Sequence, residues 1–265
     1  MSAQDTTAAG EQDAARTRVA VLGAHGRMGS EAVRAVEGAQ DLELVAALDH
    51  EDPLERLVEV GAQVLIDLTV PSATESNVRF GIEHGIHCVV GTTGWDDERL
   101  SGLSALLEDH PAVGVLIAPN FSIGAVLAMR FSALAARHFE SVEIVELHHP
   151  QKVDAPSGTA ARTTSMVAQA RRDAGLEAAS PDATESDPDG ARGALVDDVR
   201  VHSVRLRGLV AHQETLLGGA GEMLTIRHDS FDRVSFMSGV LLGVRTAPVR
   251  AGLTHGLDGY LDLDA

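Results

Sequence analysis

Val19-Ala20-Val21-Leu22-Gly23-Ala24-His25-Gly26-Arg27-Met28-Gly29 is the stretch on which the fold turns. Four apolar residues read as a short buried strand. The glycines then allow a tight turn in which the backbone approaches a ligand closely, and the residues after Met28 have helical character. A strand, a glycine-rich turn and a helix in that order form a cradle for pyrophosphate, because the helix start offers free N–H groups and the positive end of its dipole. The glycines are spaced GxxGxxG, not GxGxxG, so a plain tight turn is the competing reading. On the first reading Gly23, Ala24, His25, Gly26, Arg27 and Met28 contact a dinucleotide.

Working outward, the pattern repeats. Arg18–Leu22, Leu42–Leu48, Val64–Leu68, Cys88–Val90 and Val113–Ile117 are apolar runs. Helical stretches around 27–37, 72–84 and 96–108 separate them. Such alternation predicts a parallel sheet with helices on both faces, an α/β class of the Rossmann type. Asp49 ends the second run, 26 residues after Gly23. A carboxylate there can accept hydrogen bonds from an adenosine ribose, although a strand-end turn residue is the plainer alternative. His50, His25 and Arg27 are cations or potential cations able to tolerate a 2′-phosphate. Gly91-Thr92-Thr93-Gly94 and Ala118-Pro119-Asn120-Phe121 also follow strand ends, where ligands of open α/β sheets sit.

The region after Ser122 changes character. A helix is predicted from Ser122 to about His138, a strand over Ser141–Leu147 and a helix from about Gly158. A long polar loop is predicted over 175–198, then strands near 199–210 and 222–228. This describes a smaller α+β unit. Phe236–Val244 reads as a late helix that returns to the first unit.

The chain has 265 residues, 44% hydrophobic and 23% charged, enough for two modest domains. No apolar run reaches membrane-spanning length, and residues 1–17 lack the apolar core of a signal peptide, so they read as a disordered leader. The net charge of -18 argues against general nucleic-acid binding. Half of it lies in residues 1–17 and 173–198, which leaves the rest free to focus positive potential on an anion. The single cysteine, Cys88, precludes an internal disulfide. It reads as a buried small hydrophobe before a nucleophile, and a cytoplasmic protein fits best.

Against 20 arginines the chain keeps one lysine, Lys152. Coding bias explains the scarcity; a need for a compact, titratable cation explains the exception. It lies in Glu146-Leu147-His148-His149-Pro150-Gln151-Lys152-Val153-Asp154-Ala155-Pro156-Ser157-Gly158-Thr159. Adjacent histidines in extended chain point to opposite sides, so His148 and His149 are expected to do different jobs, one as proton donor and one as ligand contact. Ser157-Gly158-Thr159 opens a helix, a place for a carboxylate. No third His or Cys stands at ligand spacing, so a metal is not expected. A purely structural segment is the remaining alternative.

These residues resemble the 4-hydroxy-tetrahydrodipicolinate (dihydrodipicolinate) reductase family. The resemblance is carried by GAHGRMG at 23–29, VVGTTG at 89–94, APNFSIGAV at 118–126, ELHHPQKVDAPSGTA at 146–160 and RHDSFDR at 227–233. It implies a Rossmann-like domain, 18–122 plus 235–265, and a substrate-binding and oligomerisation domain, 123–234, on an open mixed sheet. It further implies NADH or NADPH as cofactor, a small dicarboxylate substrate, a place in diaminopimelate and lysine biosynthesis, and a homotetramer. His148 would be the acid/base residue and Lys152 a second proton donor. His149, Gly158 and Thr159 would bind substrate carboxylates. Cofactor contacts would come from 23–28, Asp49, Gly91, Thr92 and Thr93, and from Ala118 to Phe121. Two positions depart from the family pattern: Gln151 stands where many members have His, and His50 where NADPH-favouring members have Arg. The rival readings are an aspartate or homoserine dehydrogenase and a non-catalytic NAD(P)H-sensing module.

Overall fold

A computed structural model describes residues 16–263. The expected leader falls on residues 1–15, outside the described residues, up to its last two; Thr17 already belongs to the first strand. Six parallel strands form one sheet: β1 (Thr17–Leu22), β2 (Leu42–Leu48), β3 (Val64–Asp67), β4 (His87–Val90), β5 (Gly114–Ile117) and β11 (Gly252–His255), in the order β11-β5-β4-β3-β1-β2. The period of two along each strand sorts its apolar side chains onto two faces. Val19, Val21, Ile66, Val89 and Leu116 enter the core under α1 (Gly29–Glu37) and α7 (Met237–Thr246). Ala20, Leu22, Leu65, Cys88, Val90 and Val115 enter the core under α3 (Thr74–Glu83) and α4 (Asp97–Asp109). Cys88 is therefore a buried hydrophobe, and burial pushes its thiol well above the usual range.

From β1 the chain crosses to β2 on one side, and from β3 onward it builds on the other. The order reverses between β1 and β3, and the crevice at their carboxyl ends is where open α/β sheets take ligands. The late helix α7 packs into the first sheet's core, and β11 closes its edge beside β5. Neither β11 nor the short α2 (Glu55–Glu59) is anticipated by the hydrophobic pattern, because GLTH and ERLVE are too short to show a period.

The second sheet has five strands: β6 (Ser141–His148), β7 (Ala194–Val196), β8 (Val199–Arg205), β9 (Ala211–Gly219) and β10 (Glu222–Ser230), in the order β10-β9-β6-β8-β7. Only β6 and β8 are parallel, so the sheet is mixed. Helices α5 (Ile123–Ala136) and α6 (Gly158–Asp173) cover one face, capped by the hydroxyls of Ser122 and Ser157. The strand expected over 199–210 is corrected: β8 stops at Arg205, the chain turns through Gly208 (φ +95°), and β9 starts at Ala211. The polar loop 175–198 carries the small strand β7 near its end.

One buried charge organises the far end of the two helices. Arg171, 3% exposed, donates to the carbonyls of Ala136, Phe139, Glu140 and Glu177 at 2.6–3.3 Å. The last carbonyls of α5 lack intrahelical partners, and the guanidinium satisfies them.

Candidate active site

The turn between β1 and α1 is shaped for close backbone approach. Gly23 has φ +75°, and a Cβ there would lie 2.6 Å from the Leu68 carbonyl oxygen. A Cβ at Gly29 would lie 1.9 Å from the Gly23 carbonyl oxygen, so the turn and the first residue of α1 interlock only as glycines. Asp49 stands at the end of β2. Its carboxylate accepts from the backbone N–H groups of His50 (2.9 Å) and His25 (3.3 Å), and both imidazoles lie 3.2–3.3 Å from it. The His50 backbone and ring, and then the His25 backbone, hold the Asp49 carboxyl below the usual carboxylate range.

Thr92 is buried, and its hydroxyl donates to the Asp67 carboxylate at 2.7 Å. Asp67 is itself fully buried and also accepts from Thr69 and Asn77. This network pins the Gly91–Thr93 turn to the end of β3 and leaves Thr93 exposed. Ala118 and Phe121 are buried in the sheet core, so of that turn only Pro119 and Asn120 face outward into a cavity.

That cavity, about 1010 Å³ in volume, lies between the two sheets. Arg27, Met28, Pro119 and Asn120 line it from the first. His148, His149, Lys152, Ser157 and Thr159 line it from the second, with Gln213, His228 and Arg233. A concave site joining two units, with a few convergent polar groups, is the ordinary form of a small-molecule site. His148 ends β6, and its Nδ1 is bonded to the Glu146 carboxylate two residues earlier. Burial lowers the His148 pKa below the usual imidazole value; Glu146 opposes this, and Lys152 and Arg205 add to it. Glu146 is fully buried and gripped by both terminal nitrogens of Arg205, at 2.9 and 2.8 Å. Lys152 is paired with Asp154 at 2.6 Å, and the pair keeps the Asp154 carboxyl low. Asn120 Nδ2 donates to Thr159 Oγ1 at 3.2 Å.

Several expectations are corrected here. The extended chain assumed for His148 and His149 does not hold: β6 ends at His148, the chain turns from His149 to Lys152, and both residues line the same cavity. The Nδ1 of His149 is buried and has no partner among the described residues. Arg27, in the same turn as His25, makes no ion pair with Asp49 among the described residues and lines the cavity. Gly158 begins α6 but does not line the cavity, whereas Ser157 and Thr159 on either side of it do. Glu146, Arg205, Ser122, His228 and Arg233 were not singled out by the sequence. Ser122 Oγ, at the start of α5, lies 3.1 Å from His228 Nε2 on β10. A Cβ at Gly124 would lie 2.7 Å from that ring, so glycine makes room for it. Glu146 was discoverable: a carboxylate two residues before a strand-end histidine shares its face.

Comparison with known proteins agrees along the whole described chain. Residues 17–121 match the family described as dihydrodipicolinate reductase, N-terminus, and residues 124–261 its C-terminus. The 4-hydroxy-tetrahydrodipicolinate reductase of Streptomyces griseus subsp. griseus is 64% identical over 249 residues, 94% of this chain and 99% of that protein. That of Streptomyces coelicolor is 63% identical over the same shares. The solved structure of a dipicolinate-bound dihydrodipicolinate reductase from Paenisporosarcina sp. TG-14 superposes with a TM-score of 0.85 at 41% identity, covering 92% of this chain and 99% of that one. The chain belongs to the dihydrodipicolinate reductase family.

Proposed function

We propose that this chain reduces 4-hydroxy-tetrahydrodipicolinate to tetrahydrodipicolinate, a step of diaminopimelate and lysine biosynthesis, with NADH or NADPH as cofactor. The observation that carries the reading is the shared cavity. Residues of the glycine turn and of the His148–Thr159 segment line one space, so a dinucleotide and a small dianion can meet in it. Membership of the family removes the amino-acid dehydrogenase and sensing alternatives.

The interlocked glycines at 23 and 29 fit a pyrophosphate, since any Cβ there would fill the turn. Gly23–Met28, Asp49, His50, Gly91–Thr93 and 118–121 would hold the dinucleotide, Phe121 and Ala118 through their backbone alone. When bound, that cofactor supplies a hydride to the C4 region of the cyclic substrate. His148 supplies the proton for the neighbouring ring carbon, with loss of water overall. The ammonium of Lys152 faces the same space, tied to an exposed carboxylate by a pair weak enough to exchange. His149 and Thr159 receive carboxylates, and Gly158, which does not line the cavity, serves as the first residue of α6, whose start contributes its dipole. Arg27 and Arg233, with no ion-pair partner among the described residues, add positive potential to the cavity. In this reading 18–122 with 235–265 form the dinucleotide-binding unit and 123–234 the substrate-binding and oligomerising unit. No helix of the described residues is long and apolar enough to cross a membrane. We read the protein as a cytoplasmic homotetramer, a reading supported by exposed Met223 and Leu224 on β10.

The deciding assay is nicotinamide oxidation in the presence of freshly condensed pyruvate and aspartate semialdehyde. Turnover is expected, and His148→Gln should lower kcat by about 10²–10⁴-fold with NADH affinity unchanged. No turnover by the wild type rejects the function; an active His148→Gln protein rejects only the role of His148.

A further inference from the structure

We propose that Glu146 is a positioning residue that fixes His148 as its Nδ1–H tautomer, leaving Nε2 as the atom that exchanges a proton with the substrate, and that Arg205 locks Glu146 for this task. The proposal rests on the reading of His148 as the acid/base residue and adds the reactive nitrogen and its support.

The geometry leaves few alternatives. Glu146 and His148 lie two apart on β6 and so share a face. That face is covered by helices at Glu146 and opens into the cavity at His148, the last residue of the strand. Both carboxylate oxygens are engaged. Oε1 accepts from Arg205 Nη2 (2.8 Å) and from the Ser157 backbone N–H (3.3 Å). Oε2 accepts from Arg205 Nη1 (2.9 Å) and from His148 Nδ1. An ionised carboxylate only accepts, so the imidazole must donate, and a neutral ring that donates at Nδ1 has its lone pair at Nε2. Burial alone would raise the Glu146 carboxyl, but the bonds from Arg205, Ser203 and His148 outweigh it and the net shift is downward. Glu146 is therefore ionised wherever the enzyme works.

Arg205 also ties this centre to the next loop. It stands opposite His148 in the parallel β6–β8 register and donates from Nη2 to the Asp154 carbonyl at 2.7 Å. One guanidinium thus holds both the carboxylate behind His148 and the loop that carries Lys152. The charged and titratable groups around His148 and its cavity are Glu146 on β6, Arg205 on β8, His149, Lys152 and Asp154 on the following loop, His212 on β9, His228 on β10, Asp232 and Arg233 after it, and Arg27 of the glycine turn. His212 cannot compete for the proton, since its Nε2 accepts from the Val210 N–H and its Nδ1 is held by Asp229.

The sign of the pH effect follows. An acid must be protonated, and His148 sits below the usual imidazole value in the free protein. The kcat/KM of the free enzyme should therefore fall as pH rises through that depressed value. Glu146 opposes the depression, so Glu146→Gln should move this limb to lower pH by about one unit and lower kcat by about 10²-fold or more. A merely structural Glu146 would lower stability and leave the limb in place.

The test that does not need Glu146→Gln to fold is ¹⁵N NMR of histidine-labelled wild type above the imidazole range, with the His148 signals assigned by difference from His148→Gln. Protonated Nδ1 and unprotonated Nε2 are expected. A protonated Nε2 overturns the proposal, whatever His148→Gln does to turnover. Folded Glu146→Gln with an unmoved pH limb overturns it as well. If that variant fails to fold because Arg205 is left unpaired, the wild-type tautomer decides.

Discussion

Asn120 Nδ2 donates to Thr159 Oγ1 at 3.2 Å, which joins the turn after β5 of the first sheet directly to the first turn of α6 over the second. The residue proposed to meet the cofactor and the residue proposed to meet a carboxylate are therefore hydrogen-bonded to each other. Thr159→Val should weaken pyridine-2,6-dicarboxylate by about tenfold. It should also shift NADH affinity by a smaller factor, because one neutral hydrogen bond contributes roughly 0.5–1.5 kcal/mol. A double-mutant cycle with Asn120→Ala measures the coupling. Strict additivity would show that the bond carries nothing between the two sites.

The two carboxylate subsites proposed for the cavity also predict selectivity among inhibitors. Lys152, His149 and the start of α6 offer separate sets of donors, and charge-assisted hydrogen bonds are worth about 1.5–3 kcal/mol each. Pyridine-2-carboxylate should therefore inhibit at least tenfold more weakly than the 2,6-diacid. Equal inhibition constants for the two acids would mean a single carboxylate subsite.

Lys152→Arg separates two roles. If the residue only neutralises a carboxylate, arginine serves nearly as well; if it gives up a proton, arginine fails, because its pKa is too high. A fall in kcat of about 10²-fold is expected. Near-normal turnover would leave Lys152 a purely electrostatic part.

Cofactor preference should depend on the two histidines beside Asp49. Asp49 is flanked by His25 and His50, whose rings stand where they can offset its repulsion of a 2′-phosphate. NADPH use should therefore lose ground to NADH use in the His25→Gln/His50→Gln double variant. An unchanged ratio of kcat/KM for the two cofactors would remove the histidines from the discrimination.

The parallel sheet was legible because its strands are apolar on both faces, and such runs announce themselves: β2 falls on the residues the pattern marks. The second sheet was less so. Strand β9 carries buried His212, Gln213 and Thr215 among its apolar residues, and polar groups at core positions erase the alternation by which a strand is read. The site divided in the same way. His148 and Lys152 stand in one contiguous segment, whereas Arg205 reaches it only through parallel pairing of β6 with β8, a relationship that leaves no mark on local sequence. His228 reaches the site from the β9–β10 hairpin and Arg233 from the turn that follows it, both far in sequence from His148.

Stability should be sensitive to Arg171, far from the chemistry. Arg171→Leu leaves the carbonyls of Ala136, Phe139, Glu140 and Glu177 without their donor. A loss of about 2–4 kcal/mol is expected, seen as a lower urea midpoint with an unchanged slope, while kcat at permissive temperature is spared. A midpoint equal to that of the wild type would mean that water replaces the guanidinium.

Synthesis on the ribosome gives the edge strand β11 a further meaning. Five of the six strands of the first sheet emerge in order, but β5 has no neighbour on its outer side until Gly252–His255 appear, after the whole second sheet has been translated. Throughout that interval a nascent chain carries a bare strand edge, the feature through which partly made proteins stick to one another. The first sheet is thus begun first and finished last. A polysome making this protein should show its early intermediates held by chaperones at β5, a hold that ends only once Gly252–His255 have paired with that strand.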